Sequence, residues 1–123
     1  MHILTYTYIL DRIAIVETLF KALSDPTRLR ILSLLAQQEC CVCELESALQ
    51  LSQPNISRHL NLLKTAGILQ STKQAQWAYY RISSQFINTQ TGLWAYLQEQ
   101  LLNLPTYTED QKRLESRQNK PCD

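Results

Sequence analysis

Apolar side chains recur every three or four residues through most of the chain, which is typical of amphipathic helices. In the second predicted helix, for example, Leu29, Leu32 and Leu35 fall on one face. Asp25 and Pro26 are residue types suited to cap and to begin that helix. The pattern predicts five helices, over residues 11–23, 26–37, 41–50, 54–66 and 84–104.

The helix ends and the segment between the last two helices carry further signals. Asp11 and Ser84 are predicted to cap the first and last helices, and Gly67 to end the fourth in a left-handed conformation. Residues 68–71 and 77–82 predict two strands joined by a hairpin. Three helices, a hairpin and a flanking helix are the parts of a winged helix-turn-helix, a mainly α fold with a small β-hairpin.

Length and composition predict one domain with two flanking segments. A chain of 123 residues with 45% hydrophobic residues is large enough for one buried core. The domain is assigned to residues 11–104, between an N-terminal extension, 1–10, and a polar, mobile C-terminal tail, 105–123. No apolar run approaches the roughly 18 residues of a membrane helix. The first residues lack a signal-peptide pattern, so we expect a cytoplasmic protein whose cysteines are thiols.

The fourth predicted helix, residues 54–66, has the features of a DNA-reading helix. At about 100° per residue, Ile56, Leu60 and Leu63 lie together on one side. The opposite side carries short hydrogen-bond donors and Arg58, which suit base edges and phosphates in a major groove. The short connection from the preceding helix fits a helix-turn-helix. An ordinary amphipathic surface helix is the alternative.

The candidate DNA contacts lie at the start of this helix, along it and on the hairpin. His59 stands at the edge of the apolar side, where packing or a phosphate contact is favoured over catalysis. Lys73 and the polar hairpin tip either reach an adjacent groove or form a solvated turn. The full set is Ser52, Gln53, Asn55, Ser57, Arg58, His59, Asn61, Lys64, Lys73, Gln76 and Arg81.

The distribution of charge favours the same surface. The net charge of +1 argues by itself against a strongly basic nucleic-acid binder. However, residues 1–46 carry 4 basic and 6 acidic side chains, and residues 99–123 carry 4 and 5, for net charges of −2 and −1. Residues 47–98, which include the reading helix and the hairpin, carry 4 basic side chains and no Asp or Glu, for a net charge of +4. The total therefore conceals a basic footprint.

Three of the four cysteines, Cys40, Cys41 and Cys43, crowd into four residues. If the third helix extends that far, Cys40 and Cys43 are turned away from the core. Exposed thiols near a helix N-terminus ionise easily and bind soft, thiophilic ions. On a helix Cys41 and Cys43 diverge by about 200°, so one ion can hold both only if the first turn unwinds. Incidental surface cysteines are the alternative.

Four segments of the chain resemble the ArsR/SmtB family of metalloregulatory repressors. The family's opening signature is similar to residues 20–32 (FKALSDPTRLRIL), and its arsenic-type metal box to residues 41–45 (CVCEL). Its recognition helix is similar to residues 52–60 (SQPNISRHL), and its second wing strand to residues 77–82 (WAYYRI). The resemblance covers residues 13–104 and implies a homodimeric winged-helix repressor that leaves its operator when As(III) or Sb(III) binds.

Two positions depart from the family pattern. Members with three thiolates have Cys where this chain has Glu46, so the third sulfur is left to Cys40 or Cys122, or the site uses two. No cysteine precedes residue 40, and residues 84–104 contain neither Asp nor His, which favours arsenic over divalent metals. The wing tip has Ala75 where the family usually has Gly, so a wider turn is expected.

The sequence therefore predicts a repressor of a metalloid-resistance operon and not an enzyme. It needs no cofactor to bind DNA and takes As(III) or Sb(III) as inducer, through Cys41, Cys43 and a third sulfur. A homodimer formed by the first and last helices would face an imperfect palindrome with half-sites about 34–36 Å apart. The alternatives are a thiol-oxidation sensor on the same fold, a winged helix that contacts only proteins, and a small thiol enzyme such as an arsenate reductase.

Overall fold

The computed structural model describes residues 2–118, and within them a mainly helical fold with a small sheet is confirmed. The helices are α1 (His2–Leu23), α2 (Pro26–Leu35), α3 (Val42–Leu49), α4 (Gln53–Thr65), α5 (Ser84–Thr89), α6 (Thr91–Leu102) and α7 (Tyr107–Gln118). The strands are β1 (Cys40–Cys41), β2 (Leu69–Gln74) and β3 (Trp77–Ile82).

The predicted start of α2 and the predicted end of α4 are confirmed. The carboxylate of Asp25 accepts a hydrogen bond of 3.0 Å from the backbone N–H of Arg28, and Pro26 begins α2. Gly67 follows α4 with a φ of 82°, the left-handed conformation that glycine adopts without strain. These ends follow from local chemistry, which is why the sequence predicted them.

The first helix is longer than predicted, and the prediction that Asp11 caps it is wrong. α1 is a helix of 22 residues that begins at His2 and runs through Asp11. Residues 2–10 contain no Pro or Gly, so nothing in the local sequence stops the helix from extending over them. Neither this helix nor another in the described part of the chain is both long and apolar enough to cross a membrane.

The last predicted helix is divided into α5 and α6. Gln90, between them, has φ −119° and ψ 48°, outside the helical region. Ser83 rather than Ser84 caps α5, because its hydroxyl accepts a hydrogen bond of 3.3 Å from the N–H of Phe86. Across the break the rings of Phe86 and Trp94 pack edge to face, with their centroids 6.1 Å apart.

The strands form one antiparallel sheet in the order β1-β3-β2. The sequence did not predict β1, whose residues Cys40 and Cys41 pair with Tyr80 and Tyr79. A strand of two residues has too little alternation to be recognised. Because β3 belongs to the wing, β1 ties the start of α3 to the wing.

The wing is a tighter hairpin than expected. Gln74 pairs with Trp77, which leaves only Ala75 and Gln76 in the turn. The expectation of a wider turn is therefore wrong. Ala75 instead takes the left-handed conformation itself, with a φ of 57°.

The core lies between the helices and the sheet, and α7 contributes to it. The fully buried large side chains include Ile31, Leu32, Leu34, Leu45, Ile56, Leu60, Leu63, Ile68 and Leu114. The prediction of a mobile polar tail is wrong for Tyr107–Gln118, because Leu114 and Asp110 are fully buried beside α3 and α2. The polar composition of this segment hid the two positions that anchor it.

Candidate DNA-binding surface and thiol site

The turn between α3 and α4 consists of Gln50, Leu51 and Ser52. Gln50 ends α3 in the left-handed conformation, with φ 58° and ψ 45°. The hydroxyl of Ser52 caps α4 by accepting a hydrogen bond of 3.4 Å from the N–H of Asn55. The two helices thus form a helix-turn-helix, and α4 occupies the position of its reading helix.

The two faces of α4 are those that the sequence predicted. Ile56, Leu60 and Leu63 are fully buried, which confirms the packed side of the helix. Most of the candidate DNA contacts are exposed, namely Ser52, Gln53, Arg58, Asn61, Lys64, Lys73, Gln76 and Arg81. Asn55 and Ser57 are half-buried.

Hydrogen bonds along α4 hold several of its outward side chains in place. Nε2 of Gln53 donates to the hydroxyl of Ser57 at 2.8 Å, and Nη2 of Arg58 donates to Oδ1 of Asn55 at 2.9 Å. Each bond joins side chains one turn apart on the helix surface. The outer face of α4 therefore presents paired polar groups with restricted geometry.

His59 is buried, so its packing role fits the structure better than a direct DNA contact. Its Nδ1 lies 3.2 Å from Nη1 of Arg28 and 3.9 Å from Oδ2 of Asp25. Burial lowers the pKa of His59; the carboxylate of Asp25 opposes this, and the charge of Arg28 adds to it. Arg28 was not singled out from the sequence, although it lies within the segment that resembles the family's opening signature.

The wing extends the basic surface, with one acidic neighbour that the sequence did not place there. Lys73, Gln76 and Arg81 are exposed on its strands and turn. Nε2 of Gln74 donates to Oε1 of Glu39 at 3.3 Å. Residues 47–98 contain no Asp or Glu, but the fold brings the carboxylate of Glu39 beside the wing.

The sulfurs of Cys41 and Cys43 lie 3.0 Å apart at the junction of β1 and α3. The prediction that one ion can hold both only if the first turn unwinds is wrong. Cys41 is the N-cap of α3, with an extended backbone of φ −88° and ψ 168°, so helical geometry does not separate the two side chains. Its N–H donates to Oε1 of Glu44 at 2.9 Å, which fixes the start of the helix.

Cys40 and Cys41 are buried thiols, contrary to the expectation of an exposed, easily ionised cluster. Cys40 lies in β1 rather than in a helix, and its side chain enters the core. Burial raises the pKa of Cys40 to about 12, and the neighbouring carboxylate of Glu44 adds to the rise. Burial also raises the pKa of Cys41. Both therefore stay protonated at neutral pH.

Cys43 is half-buried and lines a groove with Glu46, Ser47, Ser52 and Arg117. Contrary to the expectation that all cysteines are thiols, it is disulfide-bonded. A cysteine on the open side of α3 is accessible for disulfide formation, unlike a cysteine in the core. The candidate ligand Cys122 lies outside the described residues. Across residues 2–118 there is no group of three His, Cys, Asp or Glu side chains placed to hold a metal ion.

The first helix leaves a large apolar face uncovered. Ile13, Val16 and Phe20 are exposed on α1, and Tyr96 and Leu102 are exposed on α6. Among residues 5–23 of α1, whose side chains the structure describes, the buried apolar ones are Leu19, Ala22 and Leu23. Exposed apolar surface of this kind is typical of sites that contact another molecule.

The helix-turn-helix, the exposed polar face of α4 and the basic wing define a winged helix-turn-helix DNA-binding protein. The family model "Bacterial regulatory protein, arsR family" matches residues 25–71. The arsenic resistance transcriptional regulator ArsR1 of Pseudomonas putida is 56% identical over 64 residues, 51% of this chain and 50% of that protein. The arsenical resistance operon repressor of Escherichia coli is 54% identical over 66 residues, 53% of this chain and 56% of that protein. The chain thus spans about half the length of these curated relatives.

A solved structure supports the same assignment over more of the chain. The homodimeric winged helix-turn-helix DNA-binding domain from Mycobacterium bovis, determined by NMR in solution, is 30% identical, with a TM-score of 0.59. The match covers 81% of this chain and 91% of that domain. The chain belongs to the ArsR family of bacterial regulatory proteins. The family consists of DNA-binding transcriptional regulators, so the thiol-enzyme alternative is set aside.

Proposed function

We propose that the protein represses an arsenical-resistance operon and is released from its operator by trivalent arsenic or antimony. The names of two relatives, an arsenic resistance transcriptional regulator and an arsenical resistance operon repressor, support the assignment to an arsenical-resistance operon. The observation that carries the proposal is the position of one pair of cysteine sulfurs. The Sγ atoms of Cys41 and Cys43 lie 3.0 Å apart, and the helix that holds Cys43 directly precedes the reading helix.

The proposed repressor is a cytoplasmic homodimer that binds an imperfect palindrome without a cofactor. A second copy would cover the apolar face of α1 around Ile13, Val16 and Phe20. The similar domain from Mycobacterium bovis is a homodimer. Two copies of α4 would then enter successive major grooves whose centres lie about 34–36 Å apart.

Binding of arsenous acid to the two thiols is a condensation without a change of oxidation state. At each sulfur the thiol loses its proton, an As–S bond replaces an As–O bond, and one water leaves. The raised pKa of Cys41 keeps that thiol protonated, so its proton is available for the water that leaves. Cys43 takes part only after a thiol reductant has reduced its disulfide, which leaves Cys43 as a thiol and the reductant as a disulfide. Soft sulfur ligands favour a thiophilic ion over magnesium or calcium.

The two sulfurs belong to different elements, which gives the inducer a way to act. Cys41 lies in β1, which pairs with β3 of the wing, and Cys43 lies in α3. Sulfurs bound to one ion at about 2.3 Å, with an angle of about 90° or more, lie at least about 3.3 Å apart. An inducer bound to both sulfurs therefore links β1 to α3, and in this proposal the turn at Gln50 passes the resulting change to α4. By linkage, operator DNA weakens arsenic binding by the same factor.

The third ligand of the bound arsenic is also part of the proposal. Cys40 is fully buried with a pKa of about 12, so it is less suited than a group on the open side of α3. The arrangement of Cys41 and Cys43 favours a two-sulfur site in which arsenic keeps one hydroxyl. A third sulfur from Cys122 would replace that hydroxyl, and one more water would leave.

Fluorescence anisotropy of a labelled operator fragment tests the proposal. The protein is reduced with a phosphine, because thiol reductants bind arsenite, and is titrated with and without arsenite. We expect arsenite to weaken operator binding by about tenfold or more. A scrambled fragment of equal length controls for nonspecific binding. Unchanged affinity at saturating arsenite and antimonite would overturn the inducer assignment.

An oxidation sensor on the same fold is a second candidate that one observation favours. Cys43 is disulfide-bonded, and the sulfur of the thiol Cys41 lies 3.0 Å from it, within reach for thiol–disulfide exchange once Cys41 has lost its proton. In this case peroxide alone would release the operator, and a phosphine would restore binding. Operator binding that peroxide leaves unchanged would reject this candidate.

A further inference from the structure

Asp110, in the first turn of α7, is a fully buried carboxylate that neither the thiol site nor the DNA surface uses. A buried charge is costly unless it is paired and hydrogen-bonded. Arg30 of α2 donates to it from Nε and Nη2, at 3.0 and 2.9 Å. Arg113 donates from Nη2 at 2.6 Å. One carboxylate thus holds two guanidinium groups that belong to different helices.

The same two arginines also bind the end of α3. Nε of Arg113 donates to the carbonyl of Ala48 at 2.6 Å, and Nη2 of Arg30 donates to the carbonyl of Leu49 at 3.2 Å. The last carbonyls of a helix lack partners within the helix, and cations are favourable at that end. Asp110 therefore orients two cations onto the last residues of α3.

The carbonyls that receive these bonds directly precede the turn of the helix-turn-helix. Gln50, the next residue, is held in the left-handed conformation with a φ of 58°, which is uncommon for a residue other than glycine. Ser52, two residues later, caps α4. The orientation of α4 relative to α3 depends on this turn, and the hydrogen bonds from Arg30 and Arg113 stabilise the residues that lead into it.

We propose that α7 is a clamp that holds the turn between α3 and α4 in its DNA-binding geometry, with Asp110 as the positioning residue. The proposal extends the proposed function, because operator binding is its main readout. Without the carboxylate, the two guanidinium groups repel each other and leave the carbonyls of α3. The turn then samples other conformations, and the fraction of molecules with a binding-competent α4 falls.

Asp110→Asn tests the clamp, and Glu109→Gln is its matched control. Both substitutions remove one negative charge from the first turn of α7, but Glu109 is exposed and pairs with Lys112 at the surface, at 3.7 Å. Removal of a negative charge by itself favours DNA binding. We expect Asp110→Asn to weaken operator binding about tenfold, against that trend, and Glu109→Gln to bind as well as the unmodified protein or slightly better.

Hydrogen exchange separates a positioning role from a merely structural one. Both variants are compared well below their melting temperatures. We expect faster amide exchange in Asp110→Asn at residues 50–55, with the core of α4 unchanged. If Asp110→Asn melts earlier but binds operator normally with normal exchange in the turn, the clamp is rejected. If the unmodified protein binds no operator, the proposed function fails, while the exchange comparison still decides the clamp.

Arg113→Lys keeps the test decisive if Asp110→Asn does not fold. Lysine preserves the charge but lacks the planar fork that bonds Asp110 and Ala48 together. Lys112→Arg is the matched control on the exposed side. We expect weaker operator binding and faster exchange in the turn only for Arg113→Lys. Equal operator affinity and equal amide exchange in Arg113→Lys and Lys112→Arg would overturn the proposal.

Discussion

Nη1 of Arg28 lies 3.2 Å from Nδ1 of His59, so α2 is bonded to the middle of the reading helix. The same guanidinium donates from Nε to the carbonyl of Ala22 at 2.6 Å and from Nη2 to that of Lys21 at 3.1 Å. Because arginine only donates, Nδ1 of His59 is the acceptor and the ring is neutral. Arg28 therefore connects the C-terminal end of α1 to α4 through an uncharged imidazole.

The stability of the fold is predicted to fall when the pH is lowered through the range of histidine titration. The pKa of His59 in the folded state lies below its ordinary value of 6.5. The unfolded chain therefore takes up a proton first, and stability decreases from about pH 6.5 down to the folded pKa. Urea unfolding at about pH 7.5 and 5.5 measures this decrease. His59→Gln should flatten the pH dependence; an unchanged slope in this variant would contradict the prediction.

The inducer response is predicted to depend on Cys41 and Cys43 but not on Cys40. Cys41→Ser and Cys43→Ser should bind operator normally and ignore arsenite, since each removes one sulfur of the pair that lies 3.0 Å apart. Cys40→Ala should keep the response, because the side chain of Cys40 belongs to the core, whereas the sulfur of Cys41 lies beside that of Cys43. Anisotropy titrations with arsenite measure all three variants. Failure of Cys40→Ala to respond would assign Cys40 as the third ligand.

Lys73 on the wing is predicted to bind a DNA phosphate. Lys73→Gln should weaken binding to operator and to scrambled DNA alike. It should also reduce the slope of log affinity against log salt by about 0.9 for each phosphate that is no longer neutralised, about 1.8 for a dimer. Lys112→Gln removes the same charge from an exposed position on α7 and should leave the slope unchanged. An identical slope for Lys73→Gln would exclude the phosphate interaction.

The wing turn is predicted to be strained at Ala75. Its φ of 57° favours glycine, so Ala75→Gly should increase the free energy of unfolding by about 1 kcal/mol. Ala78→Gly in β3 is the control, and it should decrease that free energy by about 0.5–1 kcal/mol because glycine weakens a strand. Urea unfolding of both variants measures the difference. Destabilisation by Ala75→Gly would show that the turn does not resist alanine.

The proposed dimer is predicted to depend on the apolar face of α1. Ile13 is 57% exposed in the single chain, and Ile13→Glu would place a charge in the proposed interface. Sedimentation velocity should show dissociation of this variant at concentrations where the unmodified protein is a dimer. Leu62→Glu introduces the same charge at an exposed leucine of α4 and should leave the dimer intact. A dimeric Ile13→Glu would exclude this face.

Sequence reasoning succeeded where the signal is contained within one element. The periodicity of Ile56, Leu60 and Leu63 predicted the buried side of α4, and all three are fully buried. The same reasoning failed at Cys40, because it assumed a helix where the chain forms β1. It also failed at α7, where Leu114 is a single buried leucine in a segment that is otherwise polar.

The sequence by itself determined the helix-turn-helix, the wing strands, the outward face of α4 and the closeness of the cysteines along the chain. Only the tertiary structure decided that Cys40 is buried, that Cys41 and Cys43 meet, and that Arg30 and Asp110, 80 residues apart, form one ion pair. The reason is physical. Periodicity and capping express interactions within a few residues, whereas burial and charge pairing depend on which distant segments the fold brings together.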